Sequence, residues 1–140
     1  MIGKLDFLTG QWNLEYNIPQ SRFSGQDKGE GKGEFKRILN NKYLEFNYSA
    51  NLTSSRHSAH GIFAWDPKAQ IYKYWWFEDS GTFMTASCRL IDTNTLHMNW
   101  HDTLLIQTFQ KLSSNKTVLH MKYPSPEGKF ELVLEVIFTR

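Results

Sequence analysis

Five histidines are the main candidates in this sequence for metal binding or acid–base chemistry. His97 and His101 share the parity of one strand face, but four residues of strand span about 13 Å. Zinc–nitrogen bonds of about 2.1 Å cannot bridge that gap, and no H-E-x-x-H or C-x-x-C motif occurs. We therefore expect no metal site. His60 is of more interest, because its parity matches Ile62 and Ala64 and a buried imidazole can anchor a ligand or transfer a proton.

Nucleophile and phosphate-binding motifs give no further candidates. Cys88 shares an apolar face with Met84, Ala86 and Leu90, which predicts an inert buried thiol. The glycine-rich segment GEGKGEF lacks the pattern G-x-x-x-x-G-K-[ST], and no helix is predicted after it. We assign no catalytic residue and expect no cofactor.

Aromatic side chains point to a different chemistry, the recognition of a small molecule. The chain contains 10 Phe, 6 Tyr and 5 Trp, and such residues line cavities and interfaces. In an apolar cavity, a few polar groups such as phenol hydroxyls fix the orientation of the ligand. The predicted ligand-binding residues are Tyr16, Tyr48, His60, Tyr72, Tyr74, Trp76, Met98 and Trp100.

The elements that must position these residues are strands. Apolar and polar residues alternate along most of the chain, and helical spacing is confined to Ile2, Leu5 and Leu8, which predicts a short N-terminal helix. Aromatic residues favour strands, and short turn signals separate the candidates. About ten strands are predicted, over 11–18, 31–39, 42–53, 58–65, 70–78, 82–91, 95–101, 104–112, 117–123 and 129–139.

The connections between these strands predict an all-β barrel. They are short, which favours antiparallel neighbours because a parallel crossover needs a dozen residues or more. Such strands hide their apolar faces either by closing into an up-and-down barrel or by forming a two-sheet sandwich, and the short turns favour the barrel. We predict a single domain over 1–140. The segment 19–33, with four glycines and many charges, is expected to form a mobile loop or a frayed hairpin.

Strand parity separates the inward residues from the outward ones. In the fifth strand, Lys73 marks the outer face and leaves Trp76 on the inner one. Three large apolar residues on one exposed face favour burial against another subunit, so we predict a homo-oligomer, as a dimer. The alternative is that the helix or the 19–33 loop covers them. The predicted contact residues are Ile71, Trp75 and Phe77; the last strand is expected to point Phe130, Leu132, Leu134, Val136 and Phe138 inward.

The charge and composition of the chain indicate whether nucleic acid or a membrane is a partner. The chain has 16 Lys and Arg against 14 Asp and Glu, and the signs are mixed along it, which is typical of a solvated surface rather than a nucleic-acid footprint. No apolar run approaches the ~20 residues of a membrane-spanning helix, and a single cysteine fits a reducing compartment. We expect a cytoplasmic protein with no nucleic-acid partner and no membrane partner.

The segment Gly10-Gln11-Trp12 opens the first predicted strand and resembles the G-x-W signature of lipocalins and the wider calycin group. In those barrels the Trp closes one end and an Arg near the end of the last strand packs over it. The resemblance therefore implies a lipocalin-like barrel closed by Trp12 and Arg140, paired through a cation–π contact.

Longer segments resemble a bacterial domain-of-unknown-function family with a lipocalin-like barrel; they are LDFLTGQW, NNKYLEF, AHGIFAWDPKAQIYKYWWF and DSGTFM. This resemblance implies the fold and no activity. More distantly, the chain resembles the nitrobindin-like haem barrels, whose axial histidine lies in the last strand. Here that strand, KFELVLEVIFTR, contains no histidine, and His120 lies one strand earlier. A haem site is not expected.

These observations support three hypotheses about function. The leading one is non-catalytic binding of a small apolar or aromatic molecule in the barrel cavity. The second is an enzyme that acts on a small apolar or phenolic substrate in the same cavity, with His60 or a tyrosine as general acid or base. The third is a filled barrel that serves as a homo-oligomeric structural module, because a small barrel can fill with its own side chains.

Overall fold

A computed structural model of the chain describes residues 1–53 and 55–140. Within them, a 3-10 helix, Ile2–Leu8, precedes ten strands. Every bound except the start of the second strand lies within two residues of its predicted position. The strands are β1 Gly10–Ile18, β2 Asp27–Ile38, β3 Tyr43–Leu52, β4 Arg56–Asp66, β5 Ile71–Glu78, β6 Phe83–Asp92, β7 Thr95–Trp100, β8 Ile106–Ser113, β9 Lys116–Pro124 and β10 Phe130–Thr139.

The strands form a closed antiparallel up-and-down barrel, as predicted, and not a sandwich. Each strand pairs with its sequence neighbours, and β1 closes the barrel by pairing with β10 through Asn13–Asn17 opposite Glu135–Thr139. Closure removes the exposed sheet edges that ten meandering strands would otherwise leave. Within the residues described, no helix has the length and apolar character needed to cross a membrane.

Of the two alternatives for 19–33, the mobile loop is wrong for the second half of the segment, because β2 begins at Asp27 and pairs with Ile18 to form a hairpin with β1. Its glycines belong to the strand and let it approach β3 closely. At Gly33, an added Cβ would lie 2.7 Å from the ring of Phe46, a distance that such atoms do not tolerate. Close approach to a neighbouring element, rather than a flexible loop, explains this glycine.

One end of the barrel is closed by the helix and by Trp12. The indole Nε1 of Trp12 donates a hydrogen bond to the Leu8 carbonyl oxygen at 2.7 Å. The guanidinium carbon of Arg140 lies 3.9 Å from the centre of the Trp12 ring, and the same side chain donates to the carbonyl oxygen of Thr9. The floor of the barrel is therefore tied to both ends of the chain.

The predicted inward face of the last strand is wrong at its beginning. A bulge between Leu132 and Leu134 shifts the register, so that Leu134 pairs with Met121 while Leu132 pairs with Lys122. Paired residues on adjacent strands share a face of the sheet. Met121 and Lys122 are consecutive residues of β9, so their side chains lie on opposite faces, with Met121 on the inner one. Leu132 and Phe130 therefore point outward, and Phe130 is exposed. A single extra residue reverses parity from that point on.

Candidate functional site

An enclosed cavity of about 280 Å³ lies inside the barrel, toward the strand ends that face away from the helix. Its wall is mainly apolar. The bordering residues are Tyr16, Ile18, Phe46, Tyr48, Leu52, His57, Tyr74, Trp76, Glu78, Met84, Trp100, Leu105, Gln107, Phe109, Leu119, Met121, Leu134, Val136 and Phe138. The helix end of the barrel is packed with side chains, so the filled-barrel hypothesis describes only that half.

A panel of three aromatic rings forms one wall of the cavity. The rings of Phe46 and Tyr48 lie 5.4 Å apart at 26°, and those of Tyr48 and Trp76 lie 5.5 Å apart at 25°. Strand alternation produces this panel, because Phe46 and Tyr48 are two residues apart on β3 and Trp76 points inward from β5. These stacked rings give the wall an aromatic, apolar surface against which an aromatic or other apolar ligand can pack.

The phenol groups beside this panel are held neutral. Burial raises the pKa of Tyr16 well above its usual value, with Tyr48 as a second cause. Burial likewise raises the pKa of Tyr48 and Tyr74. These hydroxyls can therefore donate or accept hydrogen bonds at ordinary pH without carrying charge.

Three further polar contacts border the cavity. The hydroxyl of Tyr48 lies 3.3 Å from His57 Nε2. The indole Nε1 of Trp76 donates to Glu78 Oε2 at 2.9 Å. The indole Nε1 of Trp100 donates to Gln107 Oε1 at 3.3 Å. A few polar groups in an otherwise apolar enclosure are typical of small-molecule sites.

Five of the eight predicted ligand-binding residues border the cavity: Tyr16, Tyr48, Tyr74, Trp76 and Trp100. Tyr72 and Met98, which were predicted to bind the ligand, do not border the cavity. The Tyr72 hydroxyl donates to the carbonyl oxygen of Met1 beside the helix, and Met98 is fully buried outside the cavity wall. Both point inward as expected, but they lie in the packed half of the barrel.

The predicted inward orientation of His60 is wrong. Its Nδ1 lies 2.6 Å from Asn47 Oδ1, and its ring is near that of Phe77 on the outer surface. The side chains of β4 that point inward are instead those in alternation with Phe63, which is fully buried. His57 has that parity and is the histidine that reaches the cavity. The enzyme hypothesis therefore loses His60 as its acid or base.

Sequence reasoning missed two other polar residues of the wall, Glu78 and Gln107. Both were overlooked because they are polar, and polar residues in alternating strands are normally assigned to the outer face. Gln107 did carry a usable signal, since it shares parity with Phe109 on β8. Glu78 lies at the end of β5 and has the parity of Trp76.

Neither a metal centre nor a thiol nucleophile is found in the region described. No three His, Cys, Asp or Glu side chains of residues 1–53 and 55–140 approach closely enough to hold a metal ion. Cys88 is buried, and burial raises the pKa of its thiol, which favours the unreactive protonated form.

A larger concavity of about 890 Å³ lies on the outer surface across β1 to β5. It is open to solvent and is lined by side chains of mixed charge, including Lys32, Glu34 and His60. Small-molecule sites bury most of the surface of their ligand. The enclosed cavity is therefore the better candidate despite its smaller volume.

Comparison with known families identifies the family of the chain. A family model described as "Protein of unknown function (DUF1579)" matches residues 4–140. The chain belongs to the DUF1579 family. The match begins inside the helix, at residue 4, and covers all ten strands of this DUF1579 barrel. No curated protein sequence matches the chain.

Two solved structures have a fold similar to that of the DUF1579 barrel. Rv2717c from M. tuberculosis is similar with a TM-score of 0.67 at 9% identity, over 99% of this chain and 96% of the other. The S-type phycobiliprotein lyase CPES from Guillardia theta is similar with a TM-score of 0.57 at 8% identity, over 96% of this chain and 89% of the other. At these identities the likeness concerns the fold alone.

Proposed function

We propose that this barrel binds a small apolar or aromatic molecule in its enclosed cavity without transforming it. The observation that carries the proposal is the cavity itself, with its apolar wall and its panel of Phe46, Tyr48 and Trp76. Apolar burial supplies about 25 cal/mol per Å² removed from water. The volume of about 280 Å³ is just below the range of roughly 300–1,000 Å³ typical of ligand pockets, which favours a compact ligand.

The binding proposal is tested first with a neutral reporter, N-phenylnaphthylamine, whose fluorescence rises in apolar surroundings. We expect Trp76→Ala to weaken reporter binding by roughly tenfold or more, because truncation of a buried aromatic contact typically costs more than 1 kcal/mol. Trp75→Ala is the matched control, since the adjacent tryptophan points outward and should leave the dissociation constant unchanged. Equal effects of the two substitutions on reporter fluorescence titrations would place binding outside the cavity.

The natural ligand requires a different experiment. Native mass spectrometry of the protein purified from its own host would detect a retained small molecule. A ligand released on unfolding and absent from Trp76→Ala protein supports the proposal. Repeated isolation of ligand-free protein that also rejects the reporter contradicts it.

We also propose that a second copy of the chain covers an apolar patch on the outer face of β4, β5 and β6. The patch consists of Ile62, Trp75, Phe77 and Phe83, which occupy neighbouring paired positions. Trp75 is 38% exposed, Phe77 46% and Phe83 72%. The patch itself contains no charged residue, as is typical of an interface core, and a flat patch can pair with itself about a two-fold axis. The predicted contact residue Ile71 lies at the start of the same strand and is half-buried.

The dimer predicts a clear result in sedimentation. Phe77→Glu should convert the protein to a monomer, because a carboxylate would be desolvated at the centre of the interface. Phe130→Glu is the control, since Phe130 is comparably exposed, at 54%, but lies on β10 away from the patch. A wild-type protein that sediments as a monomer at micromolar concentration would contradict the dimer.

Three finer expectations remain predictions. They are membership of the calycin group, a distant relation to the nitrobindin-like haem barrels, and a cytoplasmic protein without nucleic-acid or membrane partners. The β10 segment offers no histidine for an axial iron ligand, so the proposal of a small organic ligand does not depend on haem.

A further inference from the structure

The buried amide of Gln107 has one unused donor group. The side chain is only 5% exposed and borders the cavity from β8. Its Oε1 accepts the hydrogen bond from Trp100 Nε1 at 3.3 Å. An indole N–H can only donate, so this contact fixes which end of the amide is the oxygen. Among residues 1–53 and 55–140, Nε2 makes no hydrogen bond, and it is not one of the fully buried unpaired atoms, so it is open to the cavity.

The amide of Gln107 has two parts with different partners. Through Oε1 it satisfies the indole N–H of Trp100, which an apolar residue at this position would leave buried without a partner. The Nε2 donor faces the cavity, where a ligand that displaces water without accepting its hydrogen bond would incur a cost of roughly 1–3 kcal/mol. The cavity therefore favours a ligand that accepts a hydrogen bond from Nε2.

The cavity also limits the charge of that molecule. Lys and Arg are missing from the described residues that border it, and Glu78 contributes a carboxylate. A ligand carboxylate would thus meet the Glu78 carboxylate and no Lys or Arg to pair with, and a buried unpaired charge is expensive. A neutral acceptor oxygen avoids both penalties.

The position of Gln107 sets the orientation of the ligand. In the ring of ten strands, β8 and β3 are separated by four strands in either direction, so Gln107 and the ring panel of β3 lie on opposite sides of the barrel. An acceptor held by Gln107 would let the ring of the ligand reach across to Phe46 and Tyr48.

We infer that the ligand is a small neutral aromatic carbonyl compound whose oxygen accepts a hydrogen bond from Gln107 Nε2. This inference rests on the proposed binding function and adds the class of ligand to it. Ring burial supplies the affinity, and the amide selects for the carbonyl. Because a site built to hydrogen-bond its ligand discriminates against analogues that lack the group, Gln107 acts as a specificity-determining residue.

A pair of isosteric probes tests the selection. Methyl naphthyl ketone and isopropenylnaphthalene have the same shape, but the second has a CH2 group in place of the carbonyl oxygen. We compare the ratio of their dissociation constants, measured by isothermal titration calorimetry, in Trp100→Phe protein with and without Gln107→Met, because Trp100→Phe removes the indole N–H that Gln107→Met would otherwise free. The substitution should shift the ratio against the ketone by roughly tenfold, near the upper range of about 1.5 kcal/mol for a neutral hydrogen bond. Gln110→Met, an exposed position on the same strand, should leave the ratio unchanged.

A spectroscopic measurement tests the hydrogen bond without relying on affinities. The carbonyl stretching band of the ketone bound to wild-type protein should lie below its position in hexane, because hydrogen bonding weakens the C=O bond. It should stay low in Trp100→Phe and return toward the hexane position in Trp100→Phe/Gln107→Met, where no indole N–H is freed to replace the amide. A band at the hexane position in wild-type protein, or a lowered band that survives in the double variant, would overturn the inference.

The outcomes distinguish binding in the cavity from selection of the carbonyl group by Gln107. If both probes bind wild-type protein and adding Gln107→Met to Trp100→Phe shifts the ratio by less than twofold, the cavity is a binding site but Gln107 does not select the carbonyl. If neither probe binds but N-phenylnaphthylamine does, the ligand class fails and the proposed function stands; if the protein rejects the reporter as well, both fail. A ratio shift together with the lowered band supports both.

Discussion

Replacing Trp12 with alanine should lower the free energy of unfolding by about 3–5 kcal/mol, the range for truncation of a buried tryptophan. The indole is 3% exposed and meets the ring of Phe138 edge-on at 6.0 Å. It also holds Leu8 through a hydrogen bond and carries the Arg140 guanidinium on its face. The substitution removes all three contacts and leaves a void in the floor of the barrel.

Urea denaturation measures this loss in the Phe77→Glu background, where the proposed subunit contact at Trp75 does not contribute, with Trp75→Ala as the matched control. Trp75 is 38% exposed on the outer face, and its truncation should cost about 1 kcal/mol or less, as for most surface changes. Trp12 does not border the cavity. Folded Trp12→Ala protein should therefore bind N-phenylnaphthylamine with nearly unchanged affinity. Equal stability losses for the two tryptophans would show that the floor is not held by Trp12.

The sequence was sufficient for the fold because its alternating pattern is consistent from strand to strand. In β5, Tyr72, Tyr74 and Trp76 point inward and Trp75 and Phe77 outward, as their parity predicts. Short turns then leave few arrangements for ten antiparallel strands other than a closed barrel. The unexpected strand is β2, whose glycines resemble a loop by composition while their actual role is to let β3 approach.

Parity alone could not locate the site within the barrel. Alternation distinguishes inside from outside, but the height of a residue along the barrel axis depends on strand tilt and stagger. Tyr72 and Tyr74 share a face, yet Tyr72 packs beside the helix and Tyr74 borders the cavity. The same limit applies to Met98 and Trp100 on β7.

Parity also fails where the sequence does not show which of the two alternating sets of residues points inward. In β4, the segment RHSAHG offers a histidine of each parity, and the small residues Ala59 and Gly61 mark the inward face less clearly than Ile62 marks the other. The sequence alone therefore favoured His60 over His57. Small inward residues are informative only once the large side chain that they accommodate is known, and at Gly61 that side chain is Tyr74.

Adding one methyl group at Gly61, which lies against the wall residue Tyr74, should accordingly be the most damaging small substitution beside the cavity. A Cβ at this position would lie 2.7 Å from Cε1 of Tyr74 and would overlap its hydroxyl end. Tyr74 cannot retreat easily, because it is 2% exposed and its ring stacks on Phe63 at 4.1 Å. We expect Gly61→Ala to cost at least the 1–3 kcal/mol typical of overpacking. Displacement of Tyr74 should also narrow the cavity and weaken N-phenylnaphthylamine binding.

A double-mutant cycle assigns that cost to the clash rather than to the backbone. Tyr74→Leu removes the ring that the new methyl group meets, so Gly61→Ala should cost less in the Tyr74→Leu background, with a coupling of about 0.5–3 kcal/mol for residues in contact. Gly25→Ala is the control for the glycine change itself, since a Cβ there meets no atom within 4 Å. If Gly61→Ala costs no more than Gly25→Ala in urea denaturation, Tyr74 is not seated against β4. In that case the cavity wall has a different shape, because the Tyr74 ring that borders the cavity owes its position to this contact.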